Sequence, residues 1–139
     1  MIILDTNVLS ETLRPAPDER VLTWLGAQPR PALFTTTVTR GELFYGLHLL
    51  ADSQRKTSLL SAVLSIFDAD LAGQVLSFDS DAADAYAEIA ANRRAAGKPI
   101  SQFDAMIAAI ARSRGAGLAT RNVKNFVDCG IAVINPWAA

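Results

Sequence analysis

The chain has 139 residues, half of them hydrophobic and 19% charged, with a formal net charge of −1. That length implies a single domain over residues 1–139, able to bury about 68% of the surface its unfolded form exposes, and the composition excludes disorder. No apolar run approaches the roughly 18 residues a membrane helix requires, Met1–Asp5 has no basic leader, and Cys129 has no second cysteine to pair with, so the expectation is a cytoplasmic protein with no membrane contact.

Ile2–Leu4 is too short and too continuously apolar to be anything but a buried strand, and Asp5-Thr6-Asn7 supplies cap residues for a helix after it. Pro15 and Pro17 end that helix. Asp18 caps a second, Glu19–Leu25, whose apolar residues Val21, Leu22, Trp24 and Leu25 fit one face before Gly26 and Pro29. Ala32–Thr36, rich in β-branched and aromatic residues, is a second strand. Leu43, Leu47 and Leu50 recur at helical spacing between Val38 and Leu50, and Asp52 or Ser53 caps a further helix to about Phe67. Val75–Phe78 is a third strand, Asp79-Ser80-Asp81 opens an alanine-rich helix to about Ala96, and Gly97 and Pro99 close it. Ser101 caps Gln102 to about Arg114, with Leu118–Thr120 and Ala132–Ile134 as the last two strands. Strands separated by helices predict an α/β fold, a parallel sheet of four to five strands covered on both faces.

Three carboxylates are hard to place in such a core. Asp5 ends the first strand, Glu42 lies in the helix after the second, and Asp104 interrupts Ile100-Ser101-Gln102-Phe103-Asp104-Ala105-Met106-Ile107. Taken singly, each has an ordinary explanation: a helix cap, a solvated position, and a first-turn acid favoured by the helix dipole. Ligands of parallel sheets gather at the carboxyl ends of the strands, however, and the helix carrying Asp104 begins at that same edge. Topology thus brings Asp5, Glu42, Asp104 and Asn122 together. Clustered carboxylates repel unless a cation neutralises them, and an oxygen-only donor set suits Mg2+ or Mn2+. With His48 as the only histidine, and that late in a helix, triad chemistry cannot be assembled in the usual way.

Charge is segregated along the chain. Seven basic residues, Arg93, Arg94, Lys98, Arg112, Arg114, Arg121 and Lys124, surround the single acid Asp104. This is the pattern of a polyanion-binding face with a metal at its centre, and equally of solvated helix faces. Three other patterns fail. Asp79–Asp84 opens like a calcium loop but has Asp84 in place of its glycine and Ala90 in place of its bidentate glutamate. Gly115-Ala116-Gly117 precedes a strand instead of following one, as a dinucleotide loop would. Leu4-Asp5-Thr6-Asn7 resembles an aspartate-based phosphatase motif, with Asn7 where the second Asp would act.

Taken in order, LDTNVLSE, TRGELFYGL, ISQFDAMIAAIA, LATRNVKNF and INPW span the chain. In this order and spacing they resemble VapC-type toxins of the PIN-domain family, most nearly the branch that includes FitB. The resemblance implies a Rossmann-like sheet, Mg2+- or Mn2+-dependent endoribonuclease activity on RNA, homodimers, and neutralisation by a small antitoxin that also binds DNA. By the same resemblance Asp5 and Asp104 match direct metal ligands, Glu42 an acid acting through water at the metal, and Thr6 and Thr120 neighbouring groups that orient them. The basic residues are then candidates for contacts to the RNA backbone. Many relatives carry a fourth Asp at the position of Asn122 or close to Asn125. Here both are amides, which can ligate but bring no negative charge. Those amides are also what favours the rival reading, a nuclease fold acting chiefly as a DNA-bound regulatory complex with its antitoxin.

Overall fold

The computed structural model describes residues 1–139. It has five strands, β1 (Ile2–Leu4), β2 (Leu33–Thr36), β3 (Val75–Leu76), β4 (Gly117–Ala119) and β5 (Val133–Ile134). Six α-helices connect them: α1 (Thr6–Thr12), α2 (Glu19–Ala27), α3 (Thr37–His48), α4 (Gln54–Ser65), α5 (Ser80–Ala95) and α6 (Gln102–Ser113). Every helix begins on a short polar side chain that accepts from a first-turn amide. The caps are Asp5, Asp18, Thr36, Ser53, Asp79 and Ser101. Each satisfies one of the amides that a helix start leaves without an internal partner.

Local differences from the sequence reading sit at element ends. Arg30–Ala32 forms a 3-10 turn, so β2 starts one residue later, at Leu33. The last strand residue, Thr36, is itself the cap of α3, so strand passes into helix with no intervening loop. After Ser65, α4 continues as a π-helical segment, Ile66–Asp70, three residues beyond the expected end at Phe67. Phe67 in that segment is buried against the core, which holds the widened turn in place.

All pairings are parallel, in the order β3-β2-β1-β4-β5. Side chains alternate across the sheet, as strand geometry requires. Ile3 and Leu118 point into one core with Ile89, Ile107 and Ile110 of α5 and α6. Leu4, Leu33 and Ala119 point into the other with Val8, Val21, Leu43 and Val63 of α1 to α4. Both faces are therefore covered, and the near-continuous apolar character of the short strands follows. β1 is central: the chain builds outward through β2 and β3, then crosses by α5 and α6 to lay β4 on the other side of β1. That reversal opens a crevice beyond the carboxyl ends of β1 and β4, where ligands of open α/β sheets bind.

Candidate active site

A cleft of about 420 Å³ occupies that crevice, and Asp5, Glu42, Asp104 and Asn122 all line it. Asp5 leaves β1 directly, Glu42 comes from α3, Asp104 from the first turn of α6, and Asn122 follows β4. One end of the sheet thus gathers residues more than a hundred positions apart.

Asp5 is 4% exposed. Its Oδ1 accepts from the Thr6 amide at 2.8 Å as the cap of α1, and its Oδ2 accepts from the Thr120 hydroxyl at 2.8 Å. Asn7 completes the cradle. Its Nδ2 donates toward Asp5 Oδ2 at 3.3 Å and Thr120 Oγ1 at 3.1 Å, while its Oδ1 accepts from the Arg121 amide. The Asn122 amide also donates to Thr120 Oγ1, at 3.1 Å, so the Thr120 hydroxyl is fully used. Asn7 was not a site residue in the sequence reading; its place two residues after Asp5 in a capping cluster was the available signal.

Glu42 is half-buried and tied to Thr6, whose Oγ1 donates to Glu42 Oε1 at 2.7 Å. Thr6 Oγ1 also lies 3.1 Å from Thr39 Oγ1, whose own neighbour at 3.4 Å is Thr36 Oγ1. With Thr6 donating to the carboxylate, this file of hydroxyls points its protons toward Glu42. Asp104 is more open, and Asn125 Nδ2 donates to its Oδ2 at 3.4 Å. The Asn122 side chain is exposed on the cleft wall. Of the two amides singled out in the sequence, Asn125 is the one that reaches an acid.

None of the three carboxylates has a cationic partner among the ion pairs of the molecule. Burial therefore pushes the Asp5 carboxyl from 3.8 up to about 6, helped by the charges of Asp104 and Glu42 and opposed by the bonds from Thr120 and Thr6. The acids share one cleft but do not close into a tight cluster: no three His, Cys, Asp or Glu side chains stand at metal-binding spacing. An all-oxygen donor set with a buried, uncompensated carboxylate is chemically suited to a hard divalent cation.

Three more charged residues line the cleft, Glu11, Arg14 and Arg121. Glu11 is 4% exposed and accepts from the Asp18 amide at 3.0 Å and from Arg14 Nη1 at 3.3 Å. Arg121 is exposed, with its guanidinium carbon 5.2 Å from the centre of the Trp137 ring. The other basic residues divide. Arg94, Lys98 and Lys124 are exposed; Arg112 is paired with Glu88 at 2.9 Å and Arg114 with Asp79 at 3.4 Å.

Arg93 overturns its expected role as an RNA contact. It is 5% exposed, and its guanidinium donates to the carbonyls of Lys98, Asn125 and Val127 at 2.7, 2.9 and 2.9 Å. A guanidinium presents several donors in one plane, and three inward-facing carbonyls satisfy it without a carboxylate. The residue is a staple between the end of α5 and the segment after β4.

A model of the PIN domain matches residues 2–128. The chain is 39% identical to VapC ribonuclease Y4jK of Sinorhizobium fredii, covering 99% of this chain and 98% of that protein. It is 38% identical to toxin FitB of Neisseria gonorrhoeae, covering 99% of each. Among solved structures, FitAB bound to an IR36 DNA fragment superposes with a TM-score of 0.92 at 37% identity, covering 99% of this chain and 96% of that one. The chain belongs to the PIN-domain family, among the VapC and FitB toxins.

Proposed function

We propose that the protein is a Mg2+- or Mn2+-dependent endoribonuclease acting in the cytoplasm as the toxin of a toxin–antitoxin pair. The observation that carries this reading is Asp5, a buried carboxylate without a counter-cation, at the sheet's switch point and in one cleft with Glu42 and Asp104. Asp5 and Asp104 are the residues assigned to hold the ion, with the Asn122 carbonyl oxygen available beside them. When bound, the ion lowers the pKa of water and offsets charge developing on the phosphate.

The remaining chemistry belongs to the side chains. Glu42 Oε1 is committed to Thr6, which leaves Oε2 open to take the proton of the attacking water. Water oxygen bonds to phosphorus, the bond from phosphorus to the 3′ oxygen breaks, and that oxygen takes a proton from solvent. The products carry 5′-phosphate and 3′-hydroxyl ends. Thr120 and Asn7 hold Asp5 in one orientation throughout, and the hydroxyls of Thr36, Thr39 and Thr6 do the same for Glu42.

The partner assigned here is a small DNA-binding antitoxin, and the assembly a homodimer; a FitAB relative bound to DNA supports the former. The rival, a regulatory complex with little cleavage, draws on the amides at Asn122 and Asn125. Incubation with mixed RNA in Mg2+, Mn2+ and EDTA separates the two. Ion-dependent cutting, lost in Asp5→Asn and Asp104→Asn proteins that remain folded, is the expected result. No cutting at any ion concentration, with tight antitoxin-dependent DNA binding, would establish the rival.

A further inference from the structure

We propose that Arg121 is the phosphate-gripping residue of the cleft, seated by Trp137 to hold a backbone phosphate next to the one being cleaved. This rests on the ribonuclease reading and narrows the seven basic candidates to one.

Four acids line the cleft, Asp5, Glu11, Glu42 and Asp104, with only two cations, Arg14 and Arg121. A polyanion entering such a cleft is repelled unless a free cation receives it. Arg14 is committed: its Nη1 lies 3.3 and 3.4 Å from the two oxygens of buried Glu11. Arg121 is in none of the ion pairs of the molecule. Arg94, Lys98 and Lys124 share that freedom, but none of them lines the cleft.

Arg121 is also held in position. Its amide donates to Asn7 Oδ1 at 3.1 Å, and the following amide, of Asn122, donates to Thr120 Oγ1 at 3.1 Å, so its backbone is fastened to the same network that cradles Asp5. Its guanidinium rests over the ring of Trp137 at 5.2 Å. That ring is a fixed platform, 5% exposed, with its own amide donating to Asn135 Oδ1 at 3.0 Å. A guanidinium lying on an aromatic face keeps its in-plane N–H groups free at the edge, where they match two oxygens of a phosphate. The Trp137 ring supplies attraction without neutralising the charge, which a carboxylate would do.

The test compares the full-length wild type with Arg121→Gln, Arg121→Lys, Trp137→Phe and Trp137→Leu. Arg55→Gln serves as a control for the same charge change on an exposed residue outside the cleft. Cleavage of a fluorescent RNA oligonucleotide is followed to steady state in Mg2+ across a range of KCl concentrations, with melting temperature and Mn2+ affinity measured alongside. Loss of one charge-assisted phosphate contact predicts a KM about tenfold higher for Arg121→Gln, with kcat within about twofold. The slope of log KM against log salt falls by about 0.7, one phosphate contact on a single strand. Arg121→Lys recovers part of the affinity, Trp137→Phe behaves as wild type, and Trp137→Leu follows Arg121→Gln. Mn2+ affinity stays unchanged throughout.

Unaltered KM and salt slope in Arg121→Gln overturn the assignment, as does an equal effect from Arg55→Gln. A change confined to melting temperature or to kcat overturns it too, by giving Arg121 a structural or chemical role. If the wild type itself cuts no RNA in Mg2+ or Mn2+, the ribonuclease reading fails and this assignment with it.

Discussion

The hydroxyl of Thr120 donates to Oδ2 of Asp5 at 2.8 Å, joining residues 115 positions apart and locking β4 to the end of β1. Thr120 Oγ1 in turn accepts from Asn7 Nδ2 and from the Asn122 backbone amide. Thr120→Val keeps the shape and removes all three bonds. It is expected to lower stability by about 1–3 kcal/mol in urea unfolding, because buried groups lose their partners. Mn2+ affinity should weaken as well, since the Thr120 bond is the larger of the two that favour the ionised form of Asp5, the other coming from the Thr6 amide. Thr120→Ser retains the hydroxyl and most of both properties. Equal behaviour of the two variants would remove the hydroxyl from the site's construction.

Asp5 gives the metal-free protein a characteristic pH dependence. Its carboxyl sits at about 6 in the folded state against an ordinary 3.8, so the folded protein binds this proton more tightly than the unfolded chain does. The contribution to stability is therefore complete below the ordinary value, is lost as pH rises toward about 6, and stays lost above it. The span corresponds to about 3 kcal/mol. In chelator, Asp5→Asn should be more stable than wild type at pH 7.5 and should lose that advantage by pH 4. Added Mn2+ should reverse the order at pH 7.5 by stabilising only the wild type. Urea midpoints that differ by a constant amount across this range would show that Asp5 carries no such penalty.

Asn125 donates to Asp104 at 3.4 Å. Asn125→Asp replaces that donor by a like charge and should destabilise the chelated protein near neutral pH while strengthening its response to Mn2+. Calorimetric titration measures the second effect directly. Asn122→Asp, whose side chain has no such bond to Asp104, should produce the smaller change; the reverse ranking would place the important amide at 122.

Arg93 donates to three carbonyls, so Arg93→Met leaves those of Lys98 and Asn125 without a donor and leaves that of Val127 only the Cys129 thiol. The expected loss is about 3 kcal/mol or more, and Arg93→Lys recovers only part because a single ammonium cannot match the planar fork. Arg94→Met, on an exposed neighbour, should stay within about 0.5 kcal/mol of wild type. Thermal unfolding of the three variants checks the order.

Much of this architecture could be read from local chemistry. The caps Asp18 and Ser101 stand where the sequence puts them, and the structure picks Ser53 from the pair Asp52 and Ser53 and Asp79 from the cluster Asp79-Ser80-Asp81, because a cap depends on residues within one helical turn. The shared cleft of Asp5, Glu42 and Asp104 followed from strand–helix alternation, since parallel topology alone fixes which end each residue reaches. What could not be read depends on distant neighbours. Arg93 and Arg94 are adjacent and chemically identical, yet only Arg93 meets the carbonyls of Asn125 and Val127, more than thirty positions away. The pairing of Arg112 with Glu88, and of Arg114 with Asp79, likewise needs α5 and α6 to be packed together. A basic run that looks continuous in sequence is thus divided by the fold into a buried staple, two ion-paired side chains and four free ones.

The central place of β1 has a consequence for synthesis. Asp5 follows β1, whereas Asp104, Thr120 and Arg121 come about a hundred residues further along the chain, with α6 and after β4. For all of that interval a nascent chain carries the Asp5 carboxylate without the side chains that share its cleft. The cutting site proposed here comes into being only once β4 and the segment after it have been made and laid beside β1.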